Sequence, residues 1–160
     1  MSEFEDRQRL IEMLKRDEGV SSTPYDDATG NPVLAPTGNV TIGIGRHIFA
    51  NPLTEDEMLY LLKNDIKAAR KVCAEYVGQQ KFSSLTSHRR LALTCLAFNL
   101  GNRLKTFKKM LAAIESDDWQ TAAKELRDSL WAKQVDPKGR VNEGRDDRLA
   151  LMLEKDVYPY

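Results

Sequence analysis

Apolar positions in this chain come in two textures, and the boundary between them lies near Leu53. Beyond it they recur at helical intervals: Met58, Leu61, Leu62, Ile66, Ala69, Val72, Cys73 and Tyr76 fit one face of a helix of about two dozen residues. Thr54 followed by Glu57 gives that helix a capping box. The stretch from Gly78 to Phe82 breaks it, and Thr86 or Ser87 then caps a helix running from His88 to Leu100. That helix carries Leu91, Ala92, Leu93, Cys95, Leu96, Ala97 and Phe98, so it is apolar on nearly all sides and belongs at the centre of a bundle. Gly101 ends it, and further helices are predicted at about 104–115, 118–131 and 145–155. Upstream, Leu10, Ile11 and Leu14 mark a helical face running to Arg16, with Ser2 and Glu5 as its capping box and Gly19 just past its end.

Between Asp17 and Arg46 the texture is different. Pro24, Tyr25, Asp26, Asp27, Thr29-Gly30, Asn31-Pro32, Pro36 and Thr37-Gly38-Asn39 are turn residues separated by short strand-capable pieces at 32–34 and 40–44. The pattern predicts a small, strongly bent sheet that carries Asp26 or Asp27 back across from Glu18. Gly43 and Gly45 alternate with Ile42 and Ile44, which predicts a strand with one bare face open to close approach. The expected class is α+β, mainly helical. It is one domain over 1–160, with a small sheet lobe at about 18–52 and a larger helical lobe at about 53–160 that also takes in the N-terminal helix.

Charge narrows the partners. The 24 basic and 24 acidic residues balance, so no field favours nucleic acid or a membrane surface. No apolar stretch is long enough to cross a bilayer, and the opening MSEFEDRQRL has neither the basic start nor the apolar run of a secretory signal. Cys73 and Cys95 fall on apolar helical faces and are expected to be buried free thiols. With two His and no acid cluster around them, neither a metal site nor a cofactor is predicted.

The candidate chemistry starts at Glu18. A helix C-terminus is the negative end of the helix dipole and disfavours an anion, which suits a carboxyl that must hold a proton to give away. A second carboxylate brought opposite on the sheet, with a cleft between, is glycosidase chemistry in outline.

Glu18-Gly19, Tyr25-x-Asp27, Gly30 and the string Val40-Thr41-Ile42-Gly43-Ile44-Gly45, in that order, resemble the signature of the phage-type lysozymes, glycoside hydrolase family 24. The resemblance extends over nearly the whole chain and implies a lysozyme-like fold whose two lobes are joined by the long helix. It implies a muramidase that cleaves the β-1,4 bond between N-acetylmuramic acid and N-acetylglucosamine in peptidoglycan, with inversion. In that pattern Glu18 protonates the leaving oxygen, while Asp27 and Thr41 hold the attacking water. The nine-residue interval from Glu18 selects Asp27 over Asp26. From the residues alone Thr41 is an ordinary strand threonine; its water-holding role comes from the resemblance.

The resemblance also implies substrate contacts from Asn99, at a helix end facing the cleft, and from Trp131 and Gln134 in the Ser-x-Trp…Gln stretch. Read from the residues, Asn99 equally suits a helix C-cap, and Trp131 suits the core better than a sugar face. An arginine that pairs with the catalytic acid matches Arg145 when aligned back from Arg148, and Arg140 when counted forward from Trp131; Arg145 is preferred. Two departures stand out. Asp27 and Thr41 are separated by a longer Asn31–Asn39 excursion, expected to extend the hairpin and shape the cleft rim. The family's His, a buried partner of an acid, is replaced by Arg46 with His47 next, which puts that salt bridge in question.

The expected partner is the peptidoglycan glycan strand, and the expected state a monomer. The chain would be made in a host bacterial cytoplasm as an endolysin and reach the wall through a holin-type pore or another carrier. Two other classes fit the same residues: a non-catalytic wall-binding or scaffold protein, and a lytic transglycosylase.

Overall fold

The computed structural model describes residues 3–26, 29, 31–33, 40–136 and 144–159. Its elements are α1 (Glu3–Glu18), β1 (Thr41–Ile42), β2 (Arg46–His47), α2 (Glu55–Val77), α3 (Gln79–Ser84), α4 (Ser87–Leu100), a 3₁₀ turn (Gly101–Thr106), α5 (Lys108–Glu115), α6 (Trp119–Arg127), α7 (Leu130–Val135) and α8 (Arg145–Lys155). The architecture is α+β and mainly helical, as the apolar spacing predicts.

The core is built around α4. Residues Leu91 to Ala97 are buried without interruption, and Leu100 joins them. Leu10, Met13 and Leu14 reach this helix from α1, Ile66, Ala69 and Cys73 from α2, and Leu149, Ala150, Met152 and Leu153 from α8. Each buried Leu, Ile or Met side chain among them gains about 1.5–3 kcal/mol by leaving water, so the bundle is the source of the fold's stability. Among the described residues from 19 to 65, none is buried. The sheet lobe therefore depends on where it is attached.

Local chemistry sets the boundaries. Thr54 and Glu57 form the predicted capping box: Glu57 N–H donates to Thr54 Oγ1 at 3.3 Å, and Thr54 N–H to Glu57 Oε2 at 2.8 Å. Gly78, at φ +93°, ends α2 as expected, but the chain then turns directly into α3 rather than a loop. Thr86 precedes α4, yet its hydroxyl donates to Asp156 Oδ1 at 2.6 Å instead of capping the helix. His88 Nδ1 lies 2.7 Å from the Asp156 carbonyl oxygen, so the end of α8 is tied to the start of α4 and His88 is half-buried. The predicted helix at 118–131 is two helices. Ser129 Oγ accepts from Ala132 N–H at 3.1 Å and starts α7 afresh. Ser2, half of the expected α1 capping box, lies outside the described residues.

Among the described residues the sheet is smaller than predicted. β1 and β2 pair antiparallel, Thr41 opposite His47 and Ile42 opposite Arg46. Gly43 and Gly45 lie in the tight loop between them at φ +61° and +72°, with open space where a Cβ would go. They are turn glycines chosen for positive φ, so the bare strand face is not formed. A separate bridge joins Tyr25 to Pro32, with Asp26 N–H donating to Asn31 O at 2.8 Å. Most of the Asn31–Asn39 excursion lies outside the described residues.

Arg46 takes over the pairing that the missing His puts in question. Its Nη1 donates to Glu57 Oε1 at 2.6 Å, Nε to Asn51 O at 2.9 Å and Nη2 to Pro52 O at 2.6 Å. One guanidinium thus fastens β2 to the first turn of α2. Hydrogen bonding from the Thr54 backbone, with Arg46 beside it, holds Glu57 below the usual carboxylate range. Cys73 and Cys95 are buried free thiols. Cys73 donates to Leu93 O at 3.2 Å, and burial pushes its thiol up to about 12.

Candidate active site

Glu18 is the last residue of α1, and Gly19 follows at φ +77° with its N–H donating to Lys15 O at 3.2 Å. A side chain with a Cβ would strain this exit, which is why glycine follows the acid. The Glu18 side chain is one-third exposed and borders a depression of about 490 Å³ lined chiefly by apolar groups, among them Val20, Leu53, Met58, Leu62 and Phe98. Arg145 Nη2 donates to Glu18 Oε1 at 2.5 Å. Oε2 takes no hydrogen bond among the described residues and remains available for a proton.

Arg145 is the arginine preferred from sequence, and it opens α8, 127 positions from Glu18. Arg140, the alternative, lies outside the described residues. Behind the pair sits a residue that sequence reasoning passed over. Asp17 has a side chain only 2% exposed; its Oδ1 accepts from Arg148 Nη2 at 2.6 Å, and its Oδ2 lies 3.5 Å from Arg145 Nε. Arg145 and Arg148 stand three apart on one face of α8, so one buried carboxylate holds both while Glu18 meets the first. The R-x-x-R spacing at a helix start, set against adjacent acids at a helix end, is the signal that could have found it. Cys95 lies among these charges; burial pushes its thiol well above the ordinary range, with Arg145 acting the other way.

The network continues away from the acid. The Arg145 guanidinium carbon stands 5.9 Å from the centre of the Trp131 ring. Trp131 is 5% exposed, and its Nε1–H donates to Asn99 Oδ1 at 2.7 Å. Glu18, Arg145, Trp131 and Asn99, from α1, α8, α7 and α4, therefore form one chain of contacts. The buried Trp131 ring offers little face to a sugar and positions its neighbours instead. Gln134 is exposed and, with Leu100, Arg103 and the edge of Trp131, borders a second depression of about 540 Å³.

Thr41 is exposed on β1 in the turn-bearing hairpin. Asp27 lies outside the described residues; its neighbour Asp26 is exposed at the Tyr25–Pro32 bridge. Tyr25 is 42% exposed, and its hydroxyl donates to the Glu18 carbonyl oxygen at 3.4 Å. No group of metal ligands is formed among the described residues, and no described helix is long and apolar enough to cross a membrane.

Comparison with known proteins matches the chain to a family. The family model described as Phage lysozyme matches residues 15–150. The pre-baseplate central spike protein Gp5 of Enterobacteria phage T4 is 30% identical over 165 residues, which take in 90% of this chain and 27% of the spike protein. Probable T4-type lysozyme 2 of Dictyostelium discoideum is 29% identical over 155 residues, 79% of this chain and 86% of that protein. Probable T4-type lysozyme 1 of the same organism is 28% identical over 154 residues, with the same coverage of 79% and 86%. The chain thus spans about a quarter of the spike protein and most of each Dictyostelium relative.

Proposed function

The chain belongs to the phage lysozyme family, and from that premise we propose that it is a peptidoglycan hydrolase cleaving the β-1,4 bond between N-acetylmuramic acid and N-acetylglucosamine, with inversion. The observation that carries this reading is the Glu18–Arg145 contact at 2.5 Å, made at the rim of a depression by a carboxyl whose second oxygen is open. Glu18 Oε2 gives its proton to the glycosidic oxygen as the bond to the anomeric carbon breaks. Arg145 fixes the orientation of that carboxyl by holding Oε1, and Asp17 fixes Arg145. Asp27 accepts a proton from a water, Thr41 orients that water, and its oxygen attacks the anomeric carbon from the face opposite the departing group. Two carboxyl groups separated by room for a water give inversion, whereas closer ones give a covalent intermediate.

Mass spectrometry of digested peptidoglycan tests the reading directly. New reducing N-acetylmuramic ends are expected. Anhydro ends would identify a lytic transglycosylase, and an uncut polymer would leave a binding protein. Proton NMR of the fresh product gives the anomer and so decides inversion. Glu18→Gln should lower turnover by roughly 10²–10⁴-fold while preserving the melting temperature, since the amide keeps the shape and has no proton to give. Near-native turnover in that folded variant would remove Glu18 from the mechanism.

A further inference from the structure

Arg145 is drawn to two carboxylates, yet charge alone does not fix the plane of its guanidinium. Nη2 donates to Glu18 Oε1 at 2.5 Å. On the other side Nε lies 3.5 Å from Asp17 Oδ2, too far for a well-formed hydrogen bond, and is buried without a hydrogen-bond partner among the described residues. One directional contact leaves a guanidinium free to tilt, and a tilt would carry the Glu18 carboxyl with it. What stands against that tilt is the face of Trp131. Arg145 Cζ lies over the ring, 5.9 Å from its centre, within the roughly 6 Å over which a cation and an aromatic face attract.

Two local features place that ring. The first is the helix start at Ser129. α6 buries Ala122, Ala123 and Leu126. Carried on at 3.6 residues per turn, the same face would take Leu130, four positions past Leu126, and leave Trp131 turned aside. Instead Ser129 Oγ accepts from Ala132 N–H and begins α7 afresh. Leu130 is now 77% exposed, while Trp131 is 5% exposed. The break in the helix therefore exchanges a leucine for a tryptophan on the inward side.

The second feature is Asn99, near the end of the buried α4. An indole N–H can only donate, so the amide must present Oδ1 to Trp131 Nε1, which it does at 2.7 Å. That contact fixes how far the indole is turned, and with it the face that Arg145 meets.

We propose that Trp131 and Asn99 are positioning residues for the acid: Asn99 pins the indole, the indole face sets the tilt of Arg145, and Arg145 aims the Glu18 carboxyl. The proposal rests on the reading of Glu18 as the proton donor. It gives a different task to two residues that the resemblance to phage-type lysozymes marks for substrate contact. The two tasks separate in kinetics. A contact made equally to bound substrate and transition state appears in KM, whereas the aim of the acid matters only in the transition state and appears in kcat.

The test is steady-state kinetics of the full chain on soluble peptidoglycan fragments, with the melting temperature of each variant recorded alongside. Asn99→Leu keeps the shape of the side chain but removes the acceptor, and should lower kcat by about tenfold with KM nearly unchanged. Asn99→Gln restores an amide oxygen on a longer arm and should recover part of that loss. Asn99→Leu/Trp131→Phe removes donor and acceptor together, so no polar group is stranded if the single change destabilises the fold. It should be no slower than Asn99→Leu alone. In an Arg145→Lys background the planar guanidinium is gone, and Asn99→Leu should then have no further effect on kcat. An unchanged kcat, a raised KM in its place, or an equal further loss in the Arg145→Lys background would overturn the proposal. A readout without substrate keeps it separate from the hydrolase reading. The Arg145 Nε–H resonance, beside the Trp131 ring, should shift in proton–nitrogen NMR of Asn99→Leu, and an unmoved resonance would equally overturn the proposal. A wild-type chain that cuts no peptidoglycan would remove the hydrolase reading instead, and the resonance would still decide whether Asn99 sets Arg145 through Trp131.

Discussion

Replacing Asp17 with Asn separates the support of the acid from the acid itself. Asp17, Arg145 and Arg148 have side chains 2%, 9% and 7% exposed, so solvent screens their charges very little. Neutralising the central carboxylate leaves Arg148 without its 2.6 Å anionic partner and Arg145 with Glu18 alone. Removing one member of a buried ion pair costs about 3–5 kcal/mol, because the stranded charge keeps its desolvation penalty. The amide oxygen can still accept from Arg148, so the lower end, about 3 kcal/mol, is expected. At about 2–4 °C per kcal/mol for a chain of this size, the melting temperature should fall by about 6–12 °C. Urea unfolding followed by far-UV circular dichroism should show a lower midpoint at unchanged slope. Combining Asp17→Asn with Arg148→Met should recover part of the loss, a coupling of about 1–3 kcal/mol. A cost under about 1 kcal/mol, or strict additivity in that cycle, would refute the idea that Asp17 organises the two arginines.

The other predictions concern the sheet lobe and the acid range. Thr54→Ala removes half of the α2 capping box and should lower the melting temperature by roughly 2–4 °C, measured by calorimetry. Gly45→Ala places a Cβ at φ +72° in open space, so it should cost about 1 kcal/mol from backbone conformation alone, and Gly45→Asn less. Glu57 and Asp118 are held below their ordinary values by hydrogen bonds from the Thr54 backbone and from Thr121, and Glu154 by Lys155 and Arg127. Groups depressed in the folded state stabilise it above their unfolded pKa and lose that contribution as pH falls through the folded one. The melting temperature should therefore hold near neutrality and drop once pH passes below about 4.5, the ordinary Glu value.

Much of the helical lobe was legible because its signals are local. The Thr54–Glu57 box, the unbroken apolar run of α4 and the extent of α8 depend on neighbours within one or two turns. The misread elements share one cause: a break in pattern does not say what conformation follows. Gly78 interrupts α2 but leaves open whether the chain loops or starts another helix. The Trp119–Trp131 periodicity runs smoothly across the point where Ser129 caps a new start. Gly43 and Gly45 alternate with isoleucines as well in a strand as in a turn, and only their positive φ decides. At the site, Glu18 and Arg145 could be named from the resemblance, but Asp17 could not. An acid beside an acid at a helix end reads as solvated surface unless it is set against the R-x-x-R spacing at the start of α8, far along the chain.

That difference follows from how the two halves of the site are held. Glu18 is anchored within the helical lobe, where α1 packs on the buried α4 and α8 supplies both arginines. Thr41 stands on a hairpin of two-residue strands, in a stretch where no described residue between 19 and 65 is buried. A hairpin of that size is marginal alone in water. Its order must come from attachments: Arg46 to Glu57, Leu53 N–H to Ser22 O at 3.0 Å, and the Tyr25 hydroxyl to the Glu18 carbonyl. Arg46 is the most consequential, since one side chain joins β2, the 51–52 backbone and the capping box of α2. The family's His at this position would offer two ring nitrogens, whereas the guanidinium's fork makes three contacts at once. The replacement that looked from sequence like the loss of a structural pair therefore joins the sheet lobe to α2, which packs on the central α4.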